Sequence, residues 1–229
     1  MLSSFILASA AAFVCGLDRT AALQIMIARP IVAAPLTGLL LGQPLIGLQV
    51  GALMELLWLG RLPLGAAIPP DDTQVAIGAT FLSIVLGQLT GLAGLEFTML
   101  STLIALPLGK AGQYFDRAAR HWNGRVLRDA EKAIDEGDTQ KAERQNWWGV
   151  LHFGISSLGT FVSIVLLGSL LLFYFAPIML EPLGKSAHWI RLVFPLIGVA
   201  NILGTINVSR ALTLYGASFT MTLLLIWLL

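Results

Sequence analysis

At 229 residues, with 56% hydrophobic and 12% charged residues and a mean hydropathy of +0.81, the chain has the composition of an integral membrane protein. A span takes about 20 apolar residues, which leaves room for roughly six to eight spans or re-entrant pieces. The net charge of +1, with no basic face, excludes a nucleic-acid partner, and the single cysteine, Cys15, excludes an intrachain disulfide or a CxxC centre.

Charge is unevenly spread. Eight of the 14 Lys/Arg and seven of the 13 Asp/Glu stand between Lys110 and Arg144. The chain therefore divides into an apolar N-terminal block (1–109), a charged loop (110–147) and an apolar C-terminal block (148–229).

Met1 to Gly16 is apolar, short for a clean span, and lacks the positive n-region of a cleaved signal peptide. Cys15 reads as a small buried apolar residue. Asp18-Arg19 follows directly, then Arg29-Pro30. Two readings are open: these charges lie at the water interface, or Asp18 enters a polar cavity. Ile31 to Leu41 is too short to cross alone and ends in the turn signal Gly42-Gln43-Pro44. Gly38 with Gly42, and Gly47 with Gly51, have the i, i+4 spacing that lets helices approach closely in lipid. Short pieces interrupted by Gly and Pro predict broken or hairpin helices.

Gly47 to Asp72 is the most informative stretch. Glu55 sits in its apolar part, between Leu53-Met54 and Leu56-Leu57-Trp58. A carboxylate there costs about 3 kcal/mol against lipid, so it must face protein or a wet cavity. Its partner is read either as a solute or as a buried ion pair with Arg61 or Arg29. Downstream, Gly-Ala-Ala-Ile-Pro-Pro-Asp-Asp, ending at Asp72, cannot continue a helix. Irregular backbone at membrane depth survives only where protein buries it or a cavity wets it.

Thr73 to Leu108 is long enough for two passes, or for one pass and a re-entrant piece, with Gly87, Gly91, Gly94 and Glu96 punctuating its middle. Lys110 to Asn146 has helical composition broken at Gly137-Asp138, and its basic residues place it on the cytoplasmic side. It reads as a solvated connector or as a docking surface for a soluble partner. Trp147-Trp148 mark re-entry at the interface. Gly149 to Ala176 is a span, Pro177 to Trp189 a polar interval, and Ile190 to Ile206 and Leu212 to Leu229 the last apolar segments.

No GxxxxGK[ST], GxGxxG, GxSxG or HExxH motif is present. His121 has no ligand partner at metal spacing, and no metal or other cofactor is expected. His152 and His188 lack a nucleophile motif nearby, which disfavours an intramembrane enzyme. Recognition of a neutral, hydroxyl-rich solute fits better: Glu55, Asp71 and Asp18 accept hydrogen bonds from hydroxyls, and charge-assisted bonds are the strong ones. The expected fold is an all-α polytopic membrane protein, with multiple transmembrane helices and broken or re-entrant hairpin segments.

Leu17-Asp-Arg-Thr, Arg29-Pro-Ile-Val-Ala-Ala-Pro-Leu-Thr-Gly-Leu-Leu-Leu-Gly, Gly51-Ala-Leu-Met-Glu-Leu-Leu-Trp-Leu-Gly and Gly65-Ala-Ala-Ile-Pro-Pro-Asp-Asp resemble the membrane IIC component of mannose/sorbose-type phosphotransferase systems. Ala130-Glu-Lys-Ala-Ile-Asp-Glu-Gly-Asp and His152 with Ser156-Ser157 agree more loosely. The resemblance implies a sugar permease subunit of the bacterial inner membrane, paired with a IID membrane subunit, in a complex expected to be a trimer of IIC–IID pairs. The pair would move a hexose, amino sugar or related sugar inward, with an elevator-like movement. Soluble IIB and IIA subunits would carry the phosphoryl group on their histidines, so no catalytic residue is expected in this chain. It further implies a substrate site of Glu55, Asp71, Asp18, Arg29, Asp72 and Arg61, with Glu55 and Asp71 touching sugar and Asp18 and Arg29 shaping the cavity. The doubled Pro69-Pro70, the added carboxylate of Asp72 and the short apolar C-terminus depart from the family pattern. They leave a second reading, a IIC-like scaffold or sensor that binds partners without transport.

Overall fold

The structure is a computed structural model, and it describes residues 1–59, 68–92, 94–205 and 211–228. Among them every regular element is helical. Three stretches, Leu2–Thr20, Asp72–Thr90 and Thr139–Ser186, are long and apolar enough to cross a membrane. The chain is an all-α membrane protein.

Helix α1 (Leu2–Thr20) is followed by a loop and then by the paired short helices α2 (Pro30–Leu40) and α3 (Pro44–Trp58). Both short helices begin with proline, whose missing N–H is harmless in a first turn. Gly42 turns the chain between them at φ +76°, a backbone shape that side chains with a Cβ resist. Their contact is glycine-made. A Cβ on Gly47 would strike the Ala34 carbonyl, and one on Gly51 would stand 2.6 Å from the Pro30 oxygen. The hairpin predicted from Gly and Pro is thus present, and neither arm is long enough to cross alone.

Helix α4 (Asp72–Phe81) runs through a π-helical segment (Leu82–Leu86) into α5 (Gly87–Thr90), and Gly91 ends the run at φ +69°. Every residue from Thr73 to Gly87 is buried, so this is the central helix. It is flanked by α6 (Leu95–Leu108) and by α8 (Thr139–Thr205), which forms a hairpin with α7 (Ala111–Asp135). Helix α9 (Ala211–Leu228) closes the described chain.

Two apolar clusters hold the bundle. One joins Met54, Leu82, Phe97, Leu100, Ile164 and Leu172. The other centres on Phe81 and Phe161, with Phe5 packed against them at centroid distances of 5.8–6.0 Å. Cys15 is buried in this second cluster.

Helix α8 departs from the sequence reading. The polar interval predicted over Pro177 to Trp189 is helical, and the helix continues through Pro177, Pro182 and Pro195 for 67 residues. The physical reason is that leaving the helix in lipid strands several backbone groups, whereas each proline forfeits one hydrogen bond and part of a turn. At about 1.5 Å per residue such a helix is roughly 100 Å long, over three times the hydrocarbon thickness, so only part of it lies at membrane depth.

Two glycines test this packing. Gly47→Val meets main chain that cannot retreat, and should destabilise the protein by about 1–3 kcal/mol. Gly124→Ala stands in open space on a helix, and should stabilise by about 0.5–1 kcal/mol. Thermal melting in detergent should separate the two in sign.

Candidate functional site

The end of α1 meets the start of α4 through one guanidinium. Arg19 Nη1 lies 2.5 Å from Asp71 Oδ1, while Nη2 lies 3.2 Å from Asp72 Oδ1 and donates to the Pro70 carbonyl at 3.2 Å. Asp71 also caps α4, its Oδ1 accepting the Gln74 N–H at 3.0 Å, and its own N–H donates to the Gly109 carbonyl at 3.0 Å. Gln113 Nε2 donates to the Ile68 carbonyl at 2.6 Å. Side chains and a loop carbonyl thus meet the Ile68 and Pro70 carbonyls and the Asp71 N–H of the broken backbone around Pro69-Pro70.

Asp18 is 3% exposed and accepts the N–H groups of Ile25 (2.8 Å) and Ala28 (3.0 Å). Thr73 Oγ1 donates to the Ala28 carbonyl at 2.7 Å. These bonds pin the α1–α2 loop in a costly shape: Leu23, Gln24 and Met26 take φ of +63°, +53° and +70°, at about 1 kcal/mol or more each. Asp18 thus lines a cavity formed with the start of α4.

Arg29 pairs with Glu55, which also accepts the Ile31 N–H at 3.3 Å. The carboxylate of α3 thereby closes the hairpin and sits at the positive end of α2. Arg61 falls outside the described residues.

These groups surround a cavity of about 780 Å³. Asp18, Arg19, Gln24 and Arg29 form one wall and Pro69 to Thr73 another; Asp116 and Arg120 of α7 and Phe153, Ser156 and Ser157 of α8 complete it. The structure therefore brings Asp18, Arg29, Asp71 and Asp72 together. Glu55 is not part of the lining; it stands behind Arg29. Sequence reasoning missed Arg19, Asp116, Arg120 and the α8 wall. For Arg19 a signal existed, since the apolar block 1–109 holds five carboxylates against three basic residues, Arg19, Arg29 and Arg61. For Asp116 and Arg120, paired at 2.5 Å with the guanidinium 5.6 Å from the Phe153 ring, nothing distinguished them from their solvated neighbours.

Burial raises the Asp71 carboxyl above the ordinary carboxylate value, while the Arg19 charge and the Gln74 N–H pull it down. The lining holds four carboxylates and three guanidiniums. Such a surface accepts hydrogen bonds from hydroxyls and disfavours anions.

A bundle of apolar helices around this internal charged cavity defines an integral membrane protein with a buried polar site. Comparison with known proteins narrows the class. The family model "PTS system sorbose-specific iic component" matches residues 2–228. The chain belongs to that family of phosphotransferase IIC components. It is 34% identical over 110 residues to the mannose-specific EIIC component of Escherichia coli K12, covering 48% of this chain and 38% of the relative. It is 32% identical over 127 residues to the sorbose-specific EIIC component of Lacticaseibacillus casei (55% and 40%). It is 30% identical over 146 residues to N-acetylgalactosamine permease IIC component 1 of E. coli K12 (62% and 50%). The chain thus spans half or less of the length of these three relatives. A solved membrane protein superposes with TM-score 0.69 at 20% identity, over 96% of this chain and 85% of the other. A chain in the complex of the mannose transporter ManYZ with microcin E492 superposes with TM-score 0.62 at 19% identity, over 97% and 86%. These share the fold.

Arg19→Met should destabilise by about 3 kcal/mol or more, because it leaves a buried carboxylate unpaired. Arg29→Met should cost less, since its side chain is 48% exposed against 22% for Arg19. The Arg19→Met loss should also depend on pH. Asp71, already raised, then loses its largest opposing influence, so its folded state holds a proton to higher pH than the unfolded chain. Stability of the variant relative to wild type should fall as pH climbs from the ordinary carboxylate range towards neutrality. Melting curves across that range check the sign.

Proposed function

We propose that this chain is the sugar-translocating IIC permease subunit of a phosphotransferase system, working with a IID membrane subunit in a bacterial inner membrane. The observation that carries this reading is the cavity over the Pro69-Pro70 break. It is lined by four carboxylates and three guanidiniums, and it has the size of a small-molecule site. Its carboxylates suit a neutral hydroxyl-rich solute such as a hexose, amino sugar or related sugar. The relatives named for mannose, sorbose and N-acetylgalactosamine support that substrate class. In this reading the α7 wall faces the cytoplasm, following the eight Lys/Arg between Lys110 and Arg144. The sugar would therefore reach soluble IIB and IIA subunits there. The shared fold with a chain of the mannose transporter ManYZ supports a IID partner, and a trimer of such pairs is the proposed assembly. Asp72 is the carboxylate proposed to meet sugar first. It shares Arg19 with Asp71, and its side chain is the more exposed of the two. Asp71, Asp18 and Arg29 shape the site, and Glu55 steadies Arg29.

Uptake into vesicles carrying the chain, a IID partner and the soluble subunits tests the reading with mannose, sorbose and N-acetylgalactosamine. Saturable uptake of at least one sugar is expected. Asp72→Asn should raise KM for it roughly tenfold, as loss of one charge-assisted bond implies. Glu55→Gln should lower stability and leave KM within about twofold. An assembled complex that takes up none of the sugars would instead favour a scaffold or sensor.

A further inference from the structure

Many of the buried helical serines and threonines in this protein spend their hydroxyls on their own helix. On α8, Thr160, Ser163 and Ser169 donate to the carbonyl four residues back at 3.1, 2.8 and 2.6 Å. Thr80, Ser83, Ser101 and Thr102 do the same in the neighbouring helices. Ser156 and Ser157 are different. They are 8% and 7% exposed, they line the cavity, and neither hydroxyl has a hydrogen-bond partner among the described residues.

A third polar group beside them is also unspent. Gln74 is fully buried on α4. Its Nε2 donates to the Ala12 carbonyl at 2.9 Å, which leaves Oε1 as an acceptor without a partner among the described residues. Gly16 of α1 joins the two. A Cβ there would collide with the Ser157 side chain and would stand 3.5 Å from Gln74 Nε2. The missing side chain of Gly16 is what seats Ser157 against α1, next to the Gln74 amide. Buried polar groups without partners are rare and costly, at about 1–3 kcal/mol each. Gln74 Oε1 is one such atom, and beside it the Ser156 and Ser157 hydroxyls face the cavity, where each can both donate to and accept from a ligand.

We propose that Ser156 and Ser157, backed by Gln74, form a sugar-hydroxyl subsite and decide which sugar this cavity accepts. The proposal rests on the transport reading above and deepens it. The carboxylate wall discriminates weakly, because Asp71 and Asp72 keep Arg19 whether or not a particular hydroxyl is present. The serine wall has no such reserve. A sugar lacking the matching hydroxyl, or carrying it as the other epimer, leaves these groups buried and unpaired, and that is the arrangement that rejects analogues.

The test uses the same vesicles, with KM and maximal rate measured for the transported sugar and for its single-deoxy analogues. Ser156→Ala and Ser157→Ala should each raise KM for the parent sugar roughly tenfold and leave the maximal rate within about twofold. One deoxy analogue, penalised in wild type, should show the same KM in wild type and variant. Ser163→Ala, whose hydroxyl is already spent on its helix, serves as the control and should resemble wild type throughout. Ser157→Cys, near in size but a weak hydrogen bonder, should repeat the Ser157→Ala result if alanine impairs assembly. If both serine variants track Ser163→Ala, or if every deoxy analogue remains equally penalised, the inference fails while the transport reading stands. If wild type takes up none of mannose, sorbose and N-acetylgalactosamine, and the purified complex binds none of them by calorimetry, both fall.

Discussion

The break at Pro69-Pro70 sets the terms for its surroundings. Irregular backbone inside a helical membrane protein must find every hydrogen bond locally, because no water from the hydrocarbon will supply it. Two prolines remove two donors, and the remaining groups are met from three directions: Arg19 of α1 on the Pro70 carbonyl, Gln113 of α7 on the Ile68 carbonyl, and Gly109 on the Asp71 N–H. The α6–α7 junction fits against this segment because Gly112 has no side chain; a Cβ there would stand 2.5 Å from that of Asp71. Thus α1, α6 and α7 converge on one place, and the cavity is the space their convergence leaves.

Charge at that place is unequally shared. One guanidinium serves Asp71 and Asp72, and Asp18 has backbone N–H donors for partners. A buried carboxylate held by two amides is tolerated, since hydrogen bonds to the charged form replace much of the lost hydration. The cost appears in the loop that supplies those amides, where three non-glycine residues take left-handed backbone. A fold selected for stability alone would relax such a loop. Its persistence beside the cavity is the kind of strain that accompanies function.

Legibility in the sequence followed the strength of the physical penalty. Glu55 in an apolar run had to have a partner, and the α2–α3 hairpin was visible because glycine and proline leave few alternatives. The choice between Arg29 and Arg61 was not visible, because spacing along the chain says nothing about how a hairpin folds back. Arg29 takes the role by closing the hairpin's ends. Arg19 read as an interface charge because it directly follows an apolar run, and only the approach of α4 turns it inward. The continuity of α8 was hidden by a rule sound in water, that proline and polar residues end helices, and lipid reverses its balance. Ser156 and Ser157 were least legible. In sequence they match Ser163 and Ser169, and only the structure separates a spent hydroxyl from an unspent one.

Two of the helix N-termini near the cavity are met by the protein's own carboxylates. Asp71 takes the Gln74 N–H at the start of α4, and Glu55 takes the Ile31 N–H at the start of α2. An open N-terminus would be a ready site for phosphate or carboxylate. With one N–H at each of these ends met by the protein's own carboxylate, both are poorer sites for such a ligand. The lining also offers carboxylate oxygens that accept from hydroxyls, guanidiniums that donate, and on the α8 wall hydroxyls that can do both. Such a lining can both accept from and donate to a neutral, hydroxyl-rich solute.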